Sequence, residues 1–132
     1  MVRQSLSEWN IRDLDFLFIE NVGNLVCPSS YDLGEDFRAV LMSTTEGEDK
    51  PLKYPTIFNT ADLAIITKSD LASAAGFDAK RALESIQRVR PGMAVFELSA
   101  RTGDGMDLWM GALAERRLAR TKVSPEHDPI PA

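Results

Sequence analysis

Leu14-Asp15-Phe16-Leu17-Phe18-Ile19-Glu20-Asn21-Val22-Gly23-Asn24-Leu25-Val26-Cys27-Pro28 runs from an apolar stretch through an acid and a glycine to the one cysteine of the chain. Leu17, Phe18 and Ile19 are continuously apolar and stop sharply at Glu20. A run of that kind suits a strand covered on both faces, as the strands of a parallel sheet are. The pattern therefore predicts a first strand over 16–19, with Glu20 at its carboxyl end and a glycine turn after it.

Working outward, the same signal recurs. Ala39-Val40-Leu41-Met42, Leu63-Ala64-Ile65-Ile66 and Val95-Phe96 read as further strands, each followed by polar residues. Upstream, Val2, Leu6 and Trp9 stand at helical spacing, so residues 2–10 read as the end of a helix. Lys50-Pro51-Leu52-Lys53-Tyr54-Pro55 reads as a proline-bounded loop, and Ile57-Phe58 as the start of a short helical turn. Asp78 is a candidate N-cap for a helix through Val89, whose apolar face is Ala82, Leu83, Ile86 and Val89. Met106, Trp109, Met110 and Leu113 form a core-facing stripe on a last helix. Strands alternating with helices give an α/β fold, a parallel sheet with right-handed crossovers and flanking helices. Ligands bind at the carboxyl ends of the strands in such sheets. The turns after Ile19, Ile66 and Leu98 should therefore share one rim.

Composition narrows the function. A chain of 132 residues with 44% hydrophobic and 27% charged residues is an ordinary globular chain able to bury one modest core. The net charge of −5 argues against nucleic acid or an anionic membrane surface as partner. No apolar run approaches the roughly 18 residues of a membrane span, and the start lacks the apolar segment of a secretory signal, so the expected location is cytoplasmic. One cysteine excludes an internal disulfide framework. Cys27 is then a core thiol, a reactive thiol or a metal ligand that needs other ligands. The acids Asp32, Glu35 and Asp36 read as solvated surface. Three prolines between Ser124 and Ala132 mark a tail, and His127 in it reads as a solvated residue. The expected organisation is one domain over 1–120 with a disordered tail over 121–132.

The strand ends carry the chemistry. An acid at a strand end with glycine three residues on is the arrangement of switch-type nucleotide hydrolases, in which the acid holds a metal-bound water and the glycine N–H meets the terminal phosphate. Glu20 and Gly23 have that spacing. Thr67-Lys68-Ser69-Asp70 suits guanine recognition. A carboxylate at Asp70 can accept from both N1–H and the exocyclic amine of guanine, whereas adenine offers no donor at N1. The stem of Lys68 can lie along the base. Ser99-Ala100-Arg101 would close the other side, with the Ala100 N–H donating to the guanine carbonyl.

Leu17 to Pro28, Asp32-Leu33-Gly34-Glu35, Thr45-Glu46-Gly47, Lys50 to Pro55, Ala61-Asp62-Leu63 and Thr67-Lys68-Ser69-Asp70 together closely resemble the hydrogenase nickel-incorporation GTPases of the HypB family. The likeness extends over roughly residues 10–117. It implies a P-loop NTPase-like fold of the SIMIBI type and a GTP-dependent metallochaperone that delivers nickel to [NiFe]-hydrogenase. On the family pattern Glu20 and Gly23 serve Mg²⁺ and γ-phosphate sensing. Thr67, Lys68, Asp70, Ser99 and Ala100 bind the nucleotide base, and Cys27 ligates Ni²⁺ or Zn²⁺. A thiolate suits either metal, but one ligand is too few. The implied partners are a second copy in a GTP-linked homodimer, the nickel-delivering partner chaperone and the hydrogenase large subunit.

The sequence also departs from the family. The phosphate loop Gly-x-x-x-x-Gly-Lys-[Ser/Thr] does not occur in these residues, because none of the lysines follows a glycine. The Cys-His pair of the family's first half is missing, and Thr67 stands where the guanine motif usually has Asn. The resemblance thus implies a carboxyl-terminal portion with the amino-terminal half missing, unable to hydrolyse GTP alone. The alternative is a non-catalytic metal-binding or interaction module that docks on a full-length relative.

Overall fold

The computed structural model describes residues 2–21 and 33–123. Three parallel strands, β1 (Ala39–Ser43), β2 (Leu63–Thr67) and β3 (Ala94–Glu97), form one sheet in the order β1-β2-β3. Ala39 pairs with Leu63 and Leu63 with Ala94, so the strands begin level and their carboxyl ends share one edge. The helices are α1 (Val2–Leu6), α2 (Lys50–Lys53), α3 (Pro55–Thr60), α4 (Ala79–Val89) and α5 (Met106–Val123).

The central strand explains why its sequence is continuously apolar. Ala64 and Ile66 face one core with Val40, Met42, Phe58, Ala82 and Ile86, which α3 and α4 close. Leu63 and Ile65 face the other with Leu98, against which Phe96, Met106 and Trp109 pack. Both faces are covered, so no polar residue interrupts the run. Phe58 is fully buried, a burial that contributes ~1.5–3 kcal/mol over leaving the ring in water. Phe96 and Trp109 meet edge to face at 5.6 Å, fixing α5 over β3.

α4 begins as its sequence predicts: the Asp78 side chain accepts from the Arg81 N–H at 3.2 Å. Ala82 and Ile86 of its apolar face are buried. Pro91 and Gly92 end it, with Gly92 at φ +80°.

Four expectations are corrected. The segment 16–19 is not a strand; it pairs with no other strand among the described residues, and Phe18 is 71% exposed. An apolar run supplies side chains for burial, but a strand also needs a ladder partner for its N–H and C=O groups. Phe16 and Phe18 stack at 6.2 Å, and Asp15 ion-pairs with Arg117 of α5. The proline-bounded loop contains α2, because Pro51 sits in the first turn, where a missing N–H costs nothing. Met110 faces solvent, leaving Met106, Trp109 and Leu113 as the inward stripe. The last helix continues to Val123, past the boundary expected at 120.

Glu35 is not simply solvated. It accepts from the Leu33 N–H at 2.8 Å and from Arg38 Nε at 2.9 Å. Its own backbone N–H, followed by Arg38 and the Leu33 N–H, outweighs desolvation and holds its carboxyl below the usual range. Asp36 makes an exposed ion pair with Arg120 at 3.1 Å. Asp32, the Gly23 turn, Cys27 and the segment 124–132 with His127 lie outside the described residues.

Candidate functional site

The polar turns after the three strands lie on the carboxyl edge of the sheet. The turn after β2 carries Lys68, Ser69 and Asp70; the turn after β3 carries Ser99, Ala100 and Arg101. Two backbone bonds stitch them together: the Leu98 N–H donates to the Ile66 carbonyl at 2.9 Å, and the Ser69 N–H to the Leu98 carbonyl at 3.1 Å. β3 thus extends its pairing past its last ladder residue and brings Ser99 against Asp70.

The central contact is between side chains. Ser99 Oγ donates to Asp70 Oδ1 at 2.8 Å and accepts from the Thr102 N–H at 3.1 Å. Ser99 is fully buried, and its backbone is closed into a tight loop: its N–H donates to the Asp104 carbonyl and its carbonyl accepts from the Gly103 N–H, both at 2.9 Å. Asp70 keeps its second oxygen toward the surface, 3.8 Å from Arg101 Nη1. Arg101 is 83% exposed, so that pair is a surface one of about 0–1 kcal/mol that a ligand can displace. The Ala100 N–H has no hydrogen-bond partner among the described residues. A half-buried carboxylate oxygen and a free N–H therefore stand on adjoining turns: an acceptor beside a donor, the complement of an amide-like edge that presents the reverse.

Lys68 is the only non-glycine residue at positive φ among the described residues, at φ 57° and ψ 42°. This left-handed bend turns the chain out of β2 into the short 3-10 turn Ser69–Leu71 that presents Asp70. Its carbonyl accepts from Thr44 Oγ1 at 2.8 Å, while the Thr44 N–H donates to the Thr67 carbonyl at 3.1 Å. The hydroxyl of Thr67 donates to the Met42 carbonyl at 3.4 Å, committing it to the sheet. Lys68 itself is exposed.

Sequence reasoning missed Thr44 and Gly105. Thr44 reads as one polar residue among several after an apolar run, and its role appears only once the strands are in register. Gly105, at φ +74°, rests against β3: a methyl there would lie 2.1 Å from the Glu97 carbonyl oxygen. No other residue fits, and a glycine following Thr102-Gly103-Asp104 was the available signal.

Of the acid-bearing turn, Glu20 lies among the described residues and Gly23 outside them. Glu20 is exposed, has no ion-pair partner among the described residues, and does not end a strand. The third turn on the rim is that after β1, where Glu46 accepts from the Ser43 N–H at 2.8 Å. Beyond it the Asp78 N–H donates to Glu48 at 2.7 Å, and this bond chiefly holds the Glu48 carboxyl below its usual range. No group of three or more His, Cys, Asp or Glu among the described residues could hold a metal ion, and no helix there is long and apolar enough to cross a membrane.

Residues 1–97 match the family described as CobW/HypB/UreG, nucleotide-binding domain. A hydrogenase maturation factor HypB of Azotobacter chroococcum is 44% identical over 123 residues, which are 93% of this chain and 40% of that protein. The crystal structure of HypB from Archaeoglobus fulgidus superposes with a TM-score of 0.81 at 39% identity, covering 88% of this chain and 56% of that one. HypB from Helicobacter pylori, solved in complex with nickel, superposes with a TM-score of 0.70 at 38% identity, covering 82% of this chain and 49% of that one. The chain thus spans about half or less of the length of the relatives it matches.

Proposed function

Since the chain belongs to the CobW/HypB/UreG family of nucleotide-binding domains, among the HypB hydrogenase maturation factors, we propose that it is the guanine-recognising portion of a GTP-dependent nickel metallochaperone for [NiFe]-hydrogenase. The observation that carries this reading is the Ser99–Asp70 hydrogen bond. It fixes one carboxylate oxygen and leaves the other, beside the free Ala100 N–H, for N1–H, the exocyclic amine and the carbonyl of guanine. Lys68 lays its stem along the base. Thr67, whose hydroxyl is engaged by Met42, shapes the turn.

The phosphate side rests on resemblance. Glu20 is an exposed carboxylate, a hard oxygen donor of the kind Mg²⁺ takes, and with Gly23 it serves the metal- and γ-phosphate-sensing roles. Mg²⁺ supplies charge neutralisation at the phosphates when bound. Nickel is cargo here. Cys27 is its soft ligand, or that of zinc, with further ligands from a second copy in a nucleotide-linked homodimer. The setting is the cytoplasm, with a nickel-delivering chaperone and the hydrogenase large subunit as partners.

The non-catalytic alternative keeps one specific support: no Gly-x-x-x-x-Gly-Lys-[Ser/Thr] occurs in the 132 residues, so the lysine that holds the β- and γ-phosphates is not among them. Two assays on this polypeptide test the reading. With Mg²⁺-GTP it should release no phosphate above background, and saturable turnover would refute the assignment of hydrolysis to the loop. Ni²⁺ binding should vanish in Cys27→Ala; unchanged binding would move the metal site elsewhere.

A further inference from the structure

We infer that Thr44 is the positioning residue of the base site, the strap by which β1 holds the turn after β2 in its base-reading conformation. The inference rests on the guanine reading for what the turn binds, and on geometry alone for how the turn is held.

Three observations converge on Thr44. Its side chain is buried, only 3% of the residue being exposed, although it is polar and stands at a strand end. Its hydroxyl donates to the Lys68 carbonyl at 2.8 Å, and its N–H donates to the Thr67 carbonyl at 3.1 Å. From just past the end of β1 it therefore grips two successive carbonyls, the last of β2 and the first of the turn. The second carbonyl belongs to the residue with the least favourable backbone: Lys68 has φ 57°, a region that a side chain with a Cβ enters only at a cost. Such a conformation persists when its surroundings over-determine it.

The bond is also the shorter of the two side-chain bonds that tie the end of β2 and the turn after it to β1 and the residue following it. The other, Thr67 Oγ1 to the Met42 carbonyl, is long at 3.4 Å. Thr67 occupies the position at which the motif of the resembled family usually carries Asn. Asp70, two residues past Lys68, is aimed by the bend, so releasing the Lys68 carbonyl would move the carboxylate relative to Ser99 and Ala100. Thr44 touches no nucleotide in this scheme and acts through Lys68.

The test uses the full chain, labelled for NMR, with guanosine and adenosine as probes, in Thr44→Val and Thr44→Ser. Valine keeps the volume and removes the hydroxyl; serine keeps the hydroxyl. Guanosine affinity should fall roughly fivefold in Thr44→Val, the size of one lost net hydrogen bond, and stay near the parent value in Thr44→Ser. Without any nucleoside, the Lys68 α-carbon shift should leave the left-handed range in Thr44→Val and hold it in Thr44→Ser. A Thr44→Val chain with parental guanosine affinity and an unmoved Lys68 shift would overturn the inference. If the parent chain fails to distinguish guanosine from adenosine while the Lys68 shift still moves in Thr44→Val, the strap stands and the guanine reading falls.

Discussion

Replacing Ser99 by alanine removes one oxygen from a fully buried position and breaks two hydrogen bonds, to Asp70 Oδ1 at 2.8 Å and from the Thr102 N–H at 3.1 Å. The bond to the carboxylate is charge-assisted and worth about 1.5–3 kcal/mol net, and the neutral one about 1 kcal/mol. The Asp70 side chain is 15% exposed, so water recovers part of the first loss and the sum settles near 2–3 kcal/mol. In a domain of this size each kcal/mol moves the melting midpoint by about 4 °C, which places Ser99→Ala roughly 8–12 °C below the parent. The assay is thermal and urea unfolding of the parent, Ser99→Ala, Asp70→Ala and the double variant, read as a cycle. Once Asp70 has no carboxylate, the serine has only Thr102 to satisfy, and its removal should cost about 1 kcal/mol. Additive losses, within about 0.5 kcal/mol, would show that the two turns do not depend on each other and would refute the coupling on which the site rests.

Gly105→Ala should be much worse than Gly103→Ala. Both glycines have positive φ, but only a methyl at 105 meets backbone, 2.1 Å from the Glu97 carbonyl oxygen, while position 103 opens on free space. Unfolding midpoints should show a loss of about 1–2 kcal/mol at 103 and roughly 3 kcal/mol or more at 105; equal losses would mean the loop does not pack on β3 as described. Glu35 makes a pH prediction. Its carboxyl lies below the ordinary value of 4.5, so the stability it contributes is present in full above that pH and is lost as pH falls through the folded value. Urea midpoints of the parent and Glu35→Gln should therefore converge below about pH 4.5, and curves that stay parallel down to pH 3 would contradict the role given to Arg38 and Leu33.

Much of the fold was legible because the local signals agree. The run at 63–66 is apolar throughout since β2 is central and covered on both faces, and the Asp78 cap and Pro91-Gly92 stop bracket α4 without help from tertiary contacts. The run at 16–19 looked the same and is not a strand, because sequence displays a segment's apolar character and not whether a ladder partner stands beside it. The pairing of Asp70 with Ser99 was legible as two strand-end motifs; their hydrogen bond depends on the register of β2 and β3. Thr44 was invisible for a related reason. Its partner, Lys68, is twenty-four residues away along the chain and adjacent only across the sheet.

Base preference is the measurement closest to the centre. Titrated with guanosine and xanthosine, the parent chain should bind guanosine more tightly. Asp70→Asn should reverse the order, because an amide offers N–H to the xanthine 2-carbonyl where a carboxylate offers only acceptors. Equal affinity for the two nucleosides in both proteins would contradict the assignment of Asp70 as the group that reads the base.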